Sequence, residues 1–149
     1  MIFSAQQDFS VDQAITVSAA STNVIDLGAP GTVLNGPYPL NRDIGRGTEI
    51  PLLIQVTVDF ATLTSLKVAI QSGDVEGFTG QVDTVLETEA IPVAQLVAGY
   101  QFPIHSIPKG VKHRYVRLYY TIAGSTATAG AVSAGITKGN QDTSVGGGL

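Results

Sequence analysis

Hydrophobic and polar residues alternate with a period of two along several stretches of this chain, and glycine, proline and asparagine separate the stretches. This pattern is typical of β-strands with one buried face. In the clearest stretch, residues 114–122, one face is apolar apart from a tyrosine, and we expect it to lie in the core. The predicted core set is Val116, Leu118, Tyr120 and Ile122, and the opposite set is Tyr115, Arg117, Tyr119 and Thr121.

Other segments show strand patterns of the same kind, and Leu66, Val68 and Ile70 share a predicted inward face. About eight short strands separated by turns predict an all-β fold, a jelly-roll-like antiparallel β-sandwich. Residues 92–98 predict only a helical turn or two at a corner, because Pro92 suits a first helical position. The remaining predicted strands are 14–18, 24–27, 52–58, 66–70, 82–89, 100–105 and 131–137.

The segment 28–47 has strong loop chemistry, with three prolines, five glycines and two asparagines. A loop of this length inside a domain is usually functional or ordered by a partner. The chain has 149 residues, which suits one domain with one core. We therefore predict an N-terminal arm at 1–13, a β-sandwich at 14–137 and a Gly-rich C-terminal tail at 138–149.

Composition narrows the possible partners. Charged residues make up 13% of the chain, about half the usual share, so much of the surface is neutral and suited to packing against neighbours. The net charge of −4 argues against nonspecific binding to nucleic acid. The absence of cysteine excludes disulfides and thiolate metal sites. The opening residues lack a signal-peptide pattern and the apolar runs are too short to span a bilayer, so we expect synthesis in the cytosol without a membrane partner.

Candidate catalytic chemistry is sparse. His105 and His113 could act as general bases, but neither lies in a nucleophile signature, and a surface histidine is the favoured interpretation. Carboxylate pairs at 74–76 and 87–89 could suit glycoside hydrolysis, but the chain contains no tryptophan to form a sugar platform. The sequence therefore predicts a binding protein that is not an enzyme and uses no metal or cofactor.

A basic strip stands out in this acidic chain, because four of the eight Lys and Arg residues lie within nine positions. The strip is either a solvated turn whose lysines discourage edge-to-edge aggregation or a contact for an acidic protein surface. Tyr115 and Tyr119 would supply contact area in the second case. The residues of the basic strip are Lys109, Lys112, Arg114 and Arg117.

Taken in order, several segments resemble the capsid cement (decoration) proteins of certain short-tailed bacteriophages. The similarity covers residues 14–137, and residues 29–41 look like an insertion relative to shorter relatives. The segments that carry the resemblance are 23–28, 42–47, 50–56, 90–93, 99–103, 108–111 and 114–120.

The resemblance implies a jelly-roll protein on the outer surface of the virion, bound to a shell of major capsid protein with the HK97-like fold. It implies a homo-oligomer, a dimer or trimer at a symmetry axis, that clamps adjacent capsomers without contacting nucleic acid. The N-terminal arm is a candidate anchor on the shell, so deletion of residues 1–9 should weaken attachment and leave the sandwich folded. A carbohydrate- or receptor-binding adhesion module is the alternative. The candidate anchor residues are Met1, Ile2, Phe3 and Phe9.

Overall fold

The computed structural model describes residues 3–40, 43–44 and 46–138, and the side chains of residues 3 and 4 are not part of that description. Met1, Ile2 and most of the predicted C-terminal tail lie outside the described residues. The described chain forms antiparallel strands and a single turn of 3-10 helix at Val93–Gln95, at the predicted corner. The strands are β1 Phe3–Ala14, β2 Ala19–Ala20, β3 Ile25–Asp26, β4 Leu52–Gly73, β5 Val82–Glu87, β6 Ile91–Pro92 and β7 Tyr115–Thr137.

Two long strands form the spine of the fold. β4 has 22 residues and β7 has 23, and they pair from Leu52 opposite Ile136 to Gly73 opposite Tyr115. The sequence pattern predicts each of them as two separate strands. The prediction breaks at residues 123–130 of β7 because this stretch is built from Ala, Gly, Ser and Thr, which carry no apolar alternation while the backbone stays extended.

A wide irregularity bends the spine at its middle. Ala61 pairs with Ala129 and Leu63 with Gly124, so an advance of two residues along β4 is matched by five along β7. Thr62 lies between them with φ of 72°, a conformation that β-branched residues rarely adopt. Its hydroxyl oxygen accepts a hydrogen bond from the backbone N–H of Thr128 at 3.0 Å, which holds the distorted strands together. Such bulges increase the local bend of a sheet.

The two halves of the spine carry different neighbours. The first half of β4 pairs with the last half of β7, which in turn pairs with β1. The second half of β4 pairs with β5 and β6, and the first half of β7 pairs with β2 and β3. The sheet therefore curls into a sandwich-like arrangement in which both halves contribute to one core.

The predicted strand at 100–105 is realised as an irregular segment beside the first half of β4. Two isolated bridges join them, Gln55 with Gln101 and Pro51 with Ser106. The N–H of Phe102 also donates to the carbonyl of Ile54 at 2.9 Å. Proline at 103 interrupts the regular ladder because it lacks an N–H.

The strands confirm the predicted all-β class, and the residues buried in the core confirm most of the predicted inward faces. Leu66, Val68 and Ile70 are fully buried, as are Leu118 and Tyr120. Of the predicted core set in β7, Ile122 is only partly buried, at the end where the spine begins to bend. Further core residues are Phe9, Ile15, Leu52, Ile54, Val56, Leu96 and Phe102.

The N-terminal region differs from its prediction. Residues 3–14 form β1, an edge strand that pairs with β7 from Phe3 opposite Thr137 to Ala14 opposite Ala131, and so they are not a free arm. Three register shifts interrupt this pairing, which is why no period of two is visible in the sequence. The strand predicted at 14–18 is wrong: β1 ends at Ala14, residues 15–18 form a bend, and β2 follows at Ala19–Ala20. The strand predicted at 24–27 is shortened to the two residues of β3.

Candidate protein-binding surface

The long loop contains a small hairpin, residues 31–40, which we call the finger. Thr32 and Pro39 form an antiparallel bridge, and the N–H of Leu40 donates to the carbonyl of Gly31 at 2.8 Å. At the tip, the N–H of Gly36 donates to the carbonyl of Val33 at 2.8 Å, and Asn35 supplies the positive φ that the turn requires. The finger is therefore an ordered turn structure rather than an irregular loop.

The finger projects apolar side chains into solvent. Leu34 is 89% exposed and Tyr38 is 76% exposed, while Val33 and Leu40 are each more than half exposed. Large apolar groups brought together on a surface mark an interaction site, because leaving them in water forgoes the free energy of burial. Sequence reasoning identified the loop but missed these four residues as a group, although the signal was present in the Val-Leu and Tyr-Pro-Leu runs.

Both ends of the long loop are fixed to one segment, residues 110–114. At the start, the guanidinium of Arg114 donates to both carboxylate oxygens of Asp26, each at 2.6 Å, and Leu27 N–H donates to the carbonyl of Arg114. At the end, the N–H of Gly110 donates to Asp43 at 3.0 Å. These contacts attach the chain before and after the finger to the same segment of the fold.

The basic strip is divided by the fold, and its two arginines interact within the chain. The hydrogen bond with Asp26 raises the pKa of Arg114. The guanidinium of Arg117 lies 4.0 Å from the ring centroid of Phe78 and donates to Gln71 at 2.8 Å. Partial burial lowers the pKa of Arg117. Arg114 therefore holds the start of the long loop, whereas Arg117 interacts with Gln71 and Phe78 elsewhere on the surface.

The two lysines of the strip lie apart from the arginines. Lys109 and Lys112 are exposed and border a groove of about 480 Å³ beside β5. Within the described part of the chain, neither lysine has an ion-pair partner. Tyr115 and Tyr119 are half-buried on the outward face of β7, where each ring contacts an arginine, Arg114 or Arg117.

The predicted N-terminal anchor is corrected in part. Phe9 is 1% exposed and packs in the core, so it cannot enter a pocket on a partner without unfolding this chain. Its burial follows from the pairing of β1 with β7, which places Phe9 over the sheet interior. The backbone of Phe3 pairs with Thr137 in the sheet, and Met1 and Ile2 lie outside the described residues.

The two histidines lie in different surroundings. His113 lies 3.0 Å from a carboxylate oxygen of Asp83 and its N–H donates to Ser72, whereas His105 is exposed on the segment beside β4. Across the described residues no three His, Asp or Glu side chains are placed to hold a metal ion. In the same part of the chain no helix is long and apolar enough to cross a membrane.

Comparison with known proteins gives one family. A family model described as Bbp16 matches residues 9–136, which includes β1 from Phe9 onward, the finger, the groove and nearly all of β7. No curated protein sequence matches the chain.

Proposed function

The chain belongs to the Bbp16 family, which is phage-associated, and from this premise we propose that it is a structural virion protein that acts as capsid cement. In this proposal it binds the outside of a shell of HK97-like major capsid protein and clamps adjacent capsomers. Copies of the chain would associate as a dimer or trimer at a symmetry axis. The virion surface would then be its working location.

The observation that carries the proposal is the finger. Turn hydrogen bonds shape the backbone of the finger, and contacts with residues 110–114 attach the chain on both sides of it, so the backbone has less conformational entropy to lose on binding. Leu34 and Tyr38 have the size and exposure of residues that dominate interfaces when they enter a partner's pocket.

A cement protein needs only modest affinity per contact. A shell presents many identical sites, and a protein that contacts two subunits, or an oligomer that contacts several, gains avidity without further contacts. The low charge content also fits this role, because an interface formed by neutral and apolar groups depends little on ionic strength. The proposal therefore predicts shell attachment that withstands high salt.

The test is co-sedimentation of the full chain with expanded capsids, comparing wild type with the double variant Leu34→Ser/Tyr38→Ser. We expect the double variant to lose at least tenfold in affinity, since it removes the apolar tip. The matched control is Val97→Ser, which changes an apolar residue of 50% exposure outside the finger and should bind normally. Unchanged occupancy of the double variant would contradict the role of the finger.

The alternative, a glycan- or receptor-binding module, rests on Tyr38, an exposed aromatic residue in a loop. Glycan sites usually combine several such rings. Among the described residues the other tyrosines lie on or near the sheet and are half-buried or buried, which favours the protein partner. Glycan-array binding that is lost in Tyr38→Ser, together with no sedimentation on capsids, would favour the alternative.

A further inference from the structure

Among the described residues, β5 has no strand partner on the side away from β4, although residues 110–113 lie close to it. The sheet order β1-β7-β4-β5 places β5 last, and in the described chain it pairs with β4 alone. The groove of about 480 Å³ lies between residues 82–85 of β5 and the segment that carries Lys109, Gly110 and Lys112. Four consecutive strand residues point to alternate faces, so a groove that contacts all four runs along the strand's edge.

β5 is only partly protected as an edge strand, by the carboxylates of Asp83 and Glu87 and by a register shift at Val85. Its sequence, Val-Asp-Thr-Val-Leu-Glu, contains no lysine and no proline, and Leu86 is 39% exposed. The register shift opposite Ile70 and Gln71 leaves residues 82–84 in regular pairing with β4. The part of the groove where the backbone is regular enough to accept another strand is therefore residues 82–84, and the irregularity at Val85 marks its end.

The lining of the groove carries one carboxylate, Asp83, and two lysines, Lys109 and Lys112, so its net charge is positive. Asp83 lies 3.0 Å from the His113 ring, and the Gly110 N–H donates to Asp43, so these groups are engaged within the chain. Lys109 and Lys112 stand on the opposite wall without a described ion pair. Edge-protecting lysines normally belong to the edge strand itself, whereas these two belong to the facing segment.

We propose that this groove binds an extended acidic segment of a protein partner, which adds to β5 as a further strand. Backbone hydrogen bonds to the edge would supply affinity, and carboxylates facing Lys109 and Lys112 would supply specificity. This inference goes beyond the proposed attachment to a shell, because it depends neither on the finger nor on the partner being a capsid protein.

The first experiment titrates the full chain with a capped ten-residue peptide of alternating glutamate and threonine, followed by calorimetry and amide hydrogen exchange. We expect binding together with slower exchange of the amides of residues 82–87, since these would gain hydrogen-bond partners. A peptide with lysine in place of glutamate should not bind. The acidic peptide N-methylated at alternate backbone nitrogens should bind at least tenfold more weakly, and equal binding would overturn strand addition.

The second experiment uses the double variant Lys109→Glu/Lys112→Glu, with Lys138→Glu as the control at another exposed lysine. The double variant should lose at least tenfold in peptide affinity and keep the wild-type unfolding midpoint, while the control binds normally. Affinity of the wild type should fall with added salt. Equal affinity in the double variant would overturn the charge assignment.

The two proposals can fail separately. The finger variant Leu34→Ser/Tyr38→Ser should bind the peptide as wild type does. A loss of peptide affinity in this variant would contradict the claim that the groove acts independently of the finger. Concentration-dependent protection of residues 82–87 without peptide would show that a second copy of the chain occupies the edge, and would overturn the assignment to an acidic partner. Capsid binding with no peptide binding would remove the groove proposal alone.

Discussion

The spine and the finger use the same kinds of residue in opposite ways. In the spine Leu118 is completely buried in the core, whereas in the finger Leu34 is 89% exposed. The spine's backbone is paired on both sides over much of its length, while the finger is closed by a few turn hydrogen bonds. Stability and binding are therefore assigned to separate parts of the molecule.

This separation has a practical meaning. Surface residues that contact nothing contribute little to the free energy of unfolding, but their burial in an interface is worth about 1.5–3 kcal/mol for a large apolar side chain. Changes in the spine should thus alter stability, and changes in the finger should alter only attachment. Four predictions test the comparison, from the largest expected effect on stability to the smallest.

The N-terminal strand should behave as part of the spine. Deletion of residues 1–9 is now expected to unfold or strongly destabilise the sandwich, in contrast to the prediction from sequence. The single change Phe9→Ala should cost about 3–5 kcal/mol in urea unfolding, because it leaves a cavity in the core. Val11→Ala in the same strand changes an exposed side chain and is the control. A cost below about 1 kcal/mol for Phe9→Ala would indicate that β1 contributes little to the stability of the fold, as expected of an N-terminal arm.

The bend of the spine should tolerate little added volume. Gly130 has φ of 137°, and a Cβ there would collide with the ring of Phe60. Gly130→Ala should therefore destabilise the fold by about 1–3 kcal/mol, through backbone strain and overpacking. Gly47→Ala is the matched control, since a Cβ there meets nothing within 4 Å. Equal unfolding midpoints for the two variants would show that the bend is more adaptable than its geometry indicates.

The buried phenol of the spine should make stability depend on pH. Burial raises the pKa of Tyr120, and its hydroxyl lies 2.8 Å from that of Ser10. The neutral form is favoured in the fold, so its stabilisation is complete below the pKa of an unfolded tyrosine, about 10, and is lost as the pH rises through the folded value.

Wild type should therefore lose up to about 1.4 kcal/mol per pH unit above pH 10 from this group. Tyr120→Phe should cost about 1 kcal/mol at neutral pH and show a shallower decline in alkali. Tyr119→Phe, on the outward face of the same strand, is the control. Parallel pH profiles for wild type and Tyr120→Phe would contradict the assignment.

Changes in the finger should have the smallest effect on the free energy of unfolding. Leu34→Ser is expected to change the free energy of unfolding by less than about 0.5 kcal/mol, because the side chain has few neighbours to lose. Thermal unfolding measures this directly, and the same sample can be tested for capsid attachment. A stability loss comparable to that of Gly130→Ala would mean that the finger packs on the body, and the comparison would fail.

The sequence predicts best where the two faces of a strand differ in polarity. Residues 66–70 and 115–120 satisfy this condition, and their buried faces were identified correctly. β1 does not, because its register shifts move successive residues out of a simple alternation, and Phe9 was therefore interpreted as an anchor. The sequence also does not indicate that β4 and β7 are continuous strands. The small residues at the bend pair with the neighbouring strand although they show no apolar alternation.

The candidate surface was harder to predict for a different reason. Glycine and proline identify residues 28–47 as a loop, but whether Leu34 is exposed depends on what folds over it, which local sequence does not encode. The basic strip was visible as a cluster of charge. Only the structure separates Arg114 and Arg117, which bind within the chain, from the two lysines that face the groove.

The position of β7 has a consequence for how the chain is made. β7 lies between β1 and β4 and also pairs with β2 and β3, yet it is the last strand of the described chain. During translation the earlier strands leave the ribosome before their shared neighbour exists, so the sheet cannot close until residues 115–137 have emerged. Such long-range pairing is slow and leaves strand edges exposed meanwhile. We expect the nascent chain to need chaperone protection until its central strand is complete.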